Sequence, residues 1–167
     1  MKRNHVHRGG FTLAESLAVI LILALLTVAG TAGVSGVMAS RMGMIQTADA
    51  EILGSTILQT VADELRYGQN IQVGDVETID GNEVGKTVTL DSLVYGAQTT
   101  IALDEQGKLI YNSGKQFFGE KAYSGLKIDA LTYAVTGSQI EISIAIGNDS
   151  GVLWDGEVQV RPLNSAP

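Results

Sequence analysis

Residues 8–40 read RGGFTLAESLAVILILALLTVAGTAGVSGVMAS, and the rest of the chain is organised around this stretch. Within it, residues 16–40 form a run of 25 without a charge. As a helix that run would be about 38 Å long at ~1.5 Å per residue, enough to cross a hydrocarbon core of about 30 Å. Ahead of it, residues 1–10 hold Lys2, Arg3 and Arg8 and no acid, a local charge of +3. Beyond Gly10, eight basic residues stand against all 18 acidic ones, so residues 11–167 carry −10. A basic flank before an apolar run predicts a single pass through the cytoplasmic membrane, with the N-terminus inside and the C-terminus exported.

Composition narrows the function classes. A chain of 167 residues allows one domain of ordinary size with a small appendage. The absence of cysteine excludes a disulfide framework, thiolate metal sites and cysteine nucleophiles. Both histidines, His5 and His7, lie in the first ten residues, which makes a serine–histidine triad or a histidine-rich zinc site hard to build. The net charge of −7 argues against wholesale nucleic-acid binding. These counts favour a structural or binding protein over an enzyme; no catalytic residue, metal ligand or cofactor is expected.

Three readings of the N-terminus compete. A secretory signal fits the basic start and the small-residue pattern at Val37, Met38 and Ala39, but the run exceeds the ~7–15 residues of an ordinary apolar signal core. A plain membrane anchor leaves Glu15 at the mouth of the run as an unexplained cost. The junction Arg8, Gly9, Gly10, Phe11, Thr12, Leu13, Ala14, Glu15 supports the third. A short basic leader, glycine before a cut, phenylalanine after it, glutamate four residues on and an apolar segment downstream resemble the type IV pilin and pseudopilin N-terminus. The resemblance covers residues 8–40.

The resemblance implies that a prepilin peptidase removes residues 1–10 as a cytoplasmic leader, cutting between Gly10 and Phe11 and N-methylating Phe11. It implies that residues 11–41 anchor the subunit and then become the core of a filament. The partners it implies are other pilin subunits, the peptidase, an assembly ATPase and a platform protein. Nucleic acid joins them only in a competence filament. Glu15 would neutralise the amine of an adjacent subunit's Phe11 during assembly, since a carboxylate in hydrocarbon is disfavoured by up to ~2.5–3.5 kcal/mol. The same Glu15 completes a T-x-x-E capping box with Thr12, a role compatible with the first. The prolines are Pro162 and Pro167, so the proline that many pilins carry in this helix is missing; Gly30, Gly33 and Gly36 stand there instead. These glycines are expected either to let the helix bend or partly melt in the filament, or to form a small-residue packing face.

Beyond Arg41 the pattern stays helical and turns amphipathic, with Ile45, Ala48, Ile52, Thr56 and Gln59, and Ile45, Ile52, Leu58, Val61 and Leu65, at helical spacings. Arg66, Tyr67 and Gly68 read as a stop, with a basic last turn and glycine at the C′ position. The helix from 11 to about 67 would be ~85 Å long, and residues 42–69 are its amphipathic half. From residue 70 to 167 a β-rich head is expected. Ile140, Ile142, Ile144 and Ile146 alternate with Glu141, Ser143 and Ala145; Val152, Trp154, Val158 and Val160 share a second face; Leu131, Tyr133 and Val135 share a third. These three predict an antiparallel meander with turns at 136–139 and 147–151. Val88 to Leu90 and Ile101 to Leu103 are weaker strand candidates, and residues 104–107 read as a hairpin turn before Leu109. The fold class is therefore α+β and pilin-like, with the isoleucine ladder packed on residues 45–65.

Two segments could do more. Residues 108–127 hold Lys108, Lys115, Lys121 and Lys127 against Glu120 alone, interleaved with Tyr111, Phe117, Phe118 and Tyr123. Lys115, Phe117, Phe118 and Lys121 are the candidates for contact with DNA or a partner surface; the competing reading has the aromatics pinning a loop while the lysines stay wet. Asp75, Glu77, Asp80, Asn82 and Glu83 form an oxygen-rich stretch placed between helix and sheet, and calcium is the one ion considered there. Asp149 with Asp155 is a weaker pair of the same kind. The leading expectation is a structural subunit, major or minor, of a type IV pilus-like filament serving adhesion, type II secretion or competence. The alternative is a secreted or membrane-tethered binding module with an ordinary signal or anchor.

Overall fold

The computed structural model describes residues 12–79, 82–112 and 114–164. Its first element is α1 (Leu13–Tyr67). The chain divides into two compact units, Met1–Met44 and Ile45–Pro167. In the first unit every residue from 12 to 44 whose exposure is described is exposed. In the second, residues 45–67 of α1 pack on an eight-stranded antiparallel sheet, the α+β, pilin-like layout expected from the sequence.

After α1 come β1 (Gln69–Ile79), β2 (Asn82–Ser92), β3 (Gly96–Leu103), β4 (Leu109–Tyr111), β5 (Lys115–Gln116), α2 (Glu120–Tyr123), β6 (Lys127–Thr136), β7 (Gln139–Asn148) and β8 (Gly151–Val160). Pairing runs β5-β4-β3-β2-β6-β7-β8, with β1 on β2. The register makes β2 the hub. Val88 pairs with Val73 on one edge and Ile101 on the other, while Gly85 pairs with Val76 and Tyr133. Strands β3 and β6 thus share one edge of β2, end to end, with β1 along the opposite edge. The expected meander is present as β6-β7-β8, with Leu131 opposite Ile144 and Ile142 opposite Val158. The two weaker candidates are full strands, β2 and β3, and the hairpin turn at 104–107 joins β3 to β4.

One expectation needs correcting. The stretch from Asp75 to Glu83 is not a connection between helix and sheet: β1 and β2 pair antiparallel as far as Ile79 opposite Asn82, and Asp80 and Gly81 lie outside the described residues. The expected stop is present, with α1 ending at Tyr67 and Gly68 following it; the positive-φ residue nearby is Asn70, at φ 52°, and not Gly68. A side chain at Gly68 would run into Leu90, so the glycine is needed for close approach rather than for its dihedral.

The buried face of α1 also differs from the one its spacing predicts. Leu58, Val61 and Leu65 are buried as expected, but Ile45 and Ile52 are 57% and 64% exposed. The buried stripe is Ala50, Leu53, Ile57, Val61 and Leu65, flanked by Gly54, Leu58 and Ala62. Three of these eight residues are alanine or glycine, so the most hydrophobic residues are a poor guide to the face that packs closest. Opposite lie Ile140, Ile142, Ile144 and Ile146, all buried. At Gly54 even a methyl group would overlap the Trp154 ring, and one at Gly156 would meet the same indole, so Trp154 packs against both glycines.

Around this core, polar groups fasten the strands. Ser92 Oγ donates to Glu64 Oε2 at 2.6 Å and accepts from the amides of Val94 and Tyr95, tying the β2–β3 turn to α1. Asp91 accepts from the Gln98 amide at 2.8 Å and from Asn70 Nδ2 at 2.6 Å, linking β2 to both neighbours. These bonds, the Gln98 amide foremost, hold its carboxyl below the usual carboxylate range. At the far end the tail returns to α1: Leu163 N donates to Arg66 O at 2.9 Å and Asn164 Nδ2 to Tyr67 O at 3.1 Å, satisfying carbonyls that a helix end leaves open.

Gly54→Ala would improve helix propensity by up to about 1 kcal/mol in an open helix. Here it is expected to destabilise the fold by roughly 1–3 kcal/mol through overpacking, followed in detergent by the fluorescence of Trp154, the sole tryptophan. Because Asp91 has a lowered folded-state pKa, its contribution is present above its unfolded value and is lost as pH falls through the folded one. A carboxyl-carbon NMR titration should place Asp91 below a free aspartate, and Asn70→Ala should move it back towards the ordinary range.

Candidate functional site

The first described turn carries the assembly candidate. Thr12 N and Thr12 Oγ1 both donate to Glu15 Oε2 at 2.9 Å, and Glu15 N donates back to Thr12 Oγ1 at 3.3 Å. This is a reciprocal capping box, in which two groups that a helix start leaves open find partners. Glu15 is therefore held against the helix end, with its carboxylate at the level of residue 12 rather than over the apolar run. Gly10 and Phe11, the expected processing site, lie outside the described residues.

From Glu15 the helix continues without interruption through residues 30–36. An 18-residue window of α1 has a mean hydropathy of 2.5 with none of it buried, long and apolar enough to cross a membrane. Its hydroxyls are turned onto the helix: Thr27 Oγ1 donates to Leu23 O at 2.7 Å and Thr31 Oγ1 to Val28 O at 2.9 Å. A threonine satisfied in this way adds no orphan donor to an apolar surface. Gly30 and Gly36 have open space where a Cβ would stand; the surroundings of Gly33 lie outside the description. The segment is helix throughout in this structure.

The lysine and aromatic segment is built chiefly as a pinned loop. Phe117 packs edge-on against Tyr95 and Tyr111, with ring centres 5.0 Å apart in both pairs, and Tyr95 and Tyr111 are 4.3 Å apart. Tyr95 had no signal in the sequence, because it lies in a turn whose position depends on the Ser92–Glu64 contact. Burial, with the nearby Glu64 carboxylate, pushes its hydroxyl pKa up. Lys108 Nζ meets Glu120 Oε1 at 2.6 Å, raising the lysine pKa and lowering that of the glutamate. Tyr123 is buried, and its hydroxyl accepts from Leu109 N at 2.8 Å, fixing α2 beside β4. Lys127 pairs with Asp129 at 3.4 Å. Of the four residues singled out, Phe117 and Phe118 are half-buried, whereas Lys115 and Lys121 are exposed.

In the oxygen-rich stretch, Glu77 Oε1 accepts from Lys86 Nζ at 2.7 Å across the β1–β2 pair and Asp75 stands at φ 50°, while Asp80 and the side chains of Asn82 and Glu83 lie outside the description. Asp149 and Asp155 sit in the β7–β8 turn and on β8. Among the described residues, no group of three or more histidine, cysteine or acidic side chains is arranged to hold a metal ion. A cavity of about 400 Å³ between β1, the β6–β7 turn and the C-terminal tail is lined by uncharged residues, Asn70, Ile71, Val135 and Pro162 among them.

Tyr123→Phe would keep the ring and leave the Leu109 amide buried without a partner, at a cost of roughly 1–3 kcal/mol. Faster hydrogen exchange at Leu109 and weaker protection through β4 are expected, with the α1–β7 contact unchanged. Comparison with models of known families, with curated proteins and with solved structures returned no match.

Proposed function

We propose that this chain is a structural subunit of a type IV pilus-like filament, processed between Gly10 and Phe11 and assembled through its N-terminal helix. The observation that carries the reading is the junction at residues 8–15 followed at once by 25 uncharged residues. Residues 1–10 act as a removable leader, so the mature chain keeps no histidine. The helix holds the subunit in the cytoplasmic membrane and then packs into the filament core, leaving the β-rich head at the cell surface. Its work is assembly rather than catalysis. The exposed apolar surface of α1 supports this, since such a surface needs either lipid or other helices against it. Glu15 has a second duty under this reading. While capping its own helix it uses one carboxylate oxygen, Oε2, in both bonds it accepts from Thr12, and among the described residues none bonds to Oε1, the oxygen we assign to an incoming amine.

Intact-mass analysis of the protein from its native host is expected to find a chain beginning at N-methylated Phe11. A start near Ser40 would sink the filament reading, because the polymerising helix would be lost; a start at Met1 would leave a tethered module. Glu15→Leu should lower incorporation into filaments at least tenfold while cleavage proceeds normally. Normal incorporation of that variant would leave Glu15 with its capping role alone.

A further inference from the structure

The charged groups of the head are segregated along the sheet. At one end of the pairing path, β5 and α2 present Lys115 and Lys121, both exposed. At the other end, β8 presents Asp155 and Glu157 on the face that β7 turns away from α1. The register sets Ala145 opposite Asp155 and Ser143 opposite Glu157, and Ala130 and Thr132 continue the row on β6. The result is a trough of about 580 Å³ with a floor of alanine, serine and threonine and acids along the β8 side. Among the described residues no ion pair engages Asp155 or Glu157, and the chain has no basic residue between Lys127 and Arg161. A long side chain with a cationic tip matches such a trough in shape and charge: its stem lies over small residues and its ammonium reaches the carboxylates.

We propose that the head carries both halves of a contact between copies of this chain, with Lys115 and Lys121 of one copy seated in the Asp155–Glu157 trough of the next. The proposal rests on the filament reading and adds to it the surface by which successive heads meet. Two different patches on one molecule make a heterologous contact, which propagates instead of closing into a dimer. Complementarity of this kind also answers a difficulty raised by composition. Exported chains of net charge −10 repel one another, but screening over roughly 8–10 Å at physiological salt leaves the decision to the groups in direct contact. The loop bearing the lysines is held in shape by the three-ring cluster and by the Tyr123 bond to Leu109, so the cations are presented on an ordered support.

The test uses the full-length chain in its native membrane and exploits its lack of cysteine. Gln116→Cys places a thiol beside the lysines, and Ser143→Cys places one on the trough floor. The double variant, under mild oxidation, should yield a ladder of disulfide-linked dimers, trimers and higher species, and each single variant should stay monomeric. Adding Lys115→Glu with Lys121→Glu should reduce the ladder at least fivefold. Adding Asp155→Lys with Glu157→Lys as well should restore it. The contact is overturned if the double variant gives no ladder while processed filaments still form, if single variants dimerise as strongly, if charge reversal leaves the ladder unchanged, or if the thiols link mainly to another protein. A ladder from chains that keep residues 1–10 and form no filaments would overturn the filament reading and leave the contact standing.

Discussion

The head depends on one packed layer: the stripe Ala50, Leu53, Ile57, Val61 and Leu65 of α1 pressed on the isoleucines of β7. Each fully buried leucine, isoleucine or valine contributes about 1.5–3 kcal/mol relative to exposure, so this layer outweighs any polar contact in the molecule. Its closeness is set by what is small. Gly54 admits the indole of Trp154, and Ala50 and Ala62 let the helix backbone approach the sheet. With that spacing fixed, Glu64 comes within reach of Ser92, the β2–β3 turn is held, and Tyr95 is delivered to the ring cluster that shapes the lysine loop.

The two units of the chain obey different physics. In residues 45–167 apolar surface is matched by apolar surface within the molecule. Among the described residues of 12–44 it is left exposed, and the helix is kept in order by its own hydrogen bonds, by the capping box and by the hydroxyls of Thr27 and Thr31 folded back onto carbonyls. A segment of that kind is complete as secondary structure and incomplete as tertiary structure. Lipid or neighbouring helices can complete it.

The sheet also shows how a hub strand manages three partners. Because β3 and β6 share one edge of β2, the sheet splits beyond it into a β3-β4-β5 arm and a β6-β7-β8 arm. Gly85 sits at the β6 end of that shared edge, where a side chain would strike Val73 and the Gly74 carbonyl. The split separates the basic loop, carried by the first arm, from the acidic trough, carried by the second.

Periodicity decided much of this before any coordinates. The isoleucine ladder, the β6-β7-β8 meander, the end of α1 at Tyr67 and the T-x-x-E box are local patterns, and local patterns survive folding because each depends on residues within a few positions. The hairpin β1–β2 was not legible, since Gly74 and Asp75 interrupt its alternation and a register shift follows Gln69. The true helix face was misread because its closest contacts are made by residues with almost no side chain. Glu64 with Ser92, Asn70 with Asp91 and Tyr95 with Phe117 join residues 28, 21 and 22 positions apart, and no spacing rule reaches that far. The sequence by itself determined the uncharged run, its basic flank and the alternation of the strands, because these are properties of neighbours along the chain. Only the tertiary structure decided which helix face is buried, which lysines are spent on internal partners and which remain outward, because those outcomes depend on how close the backbones can come.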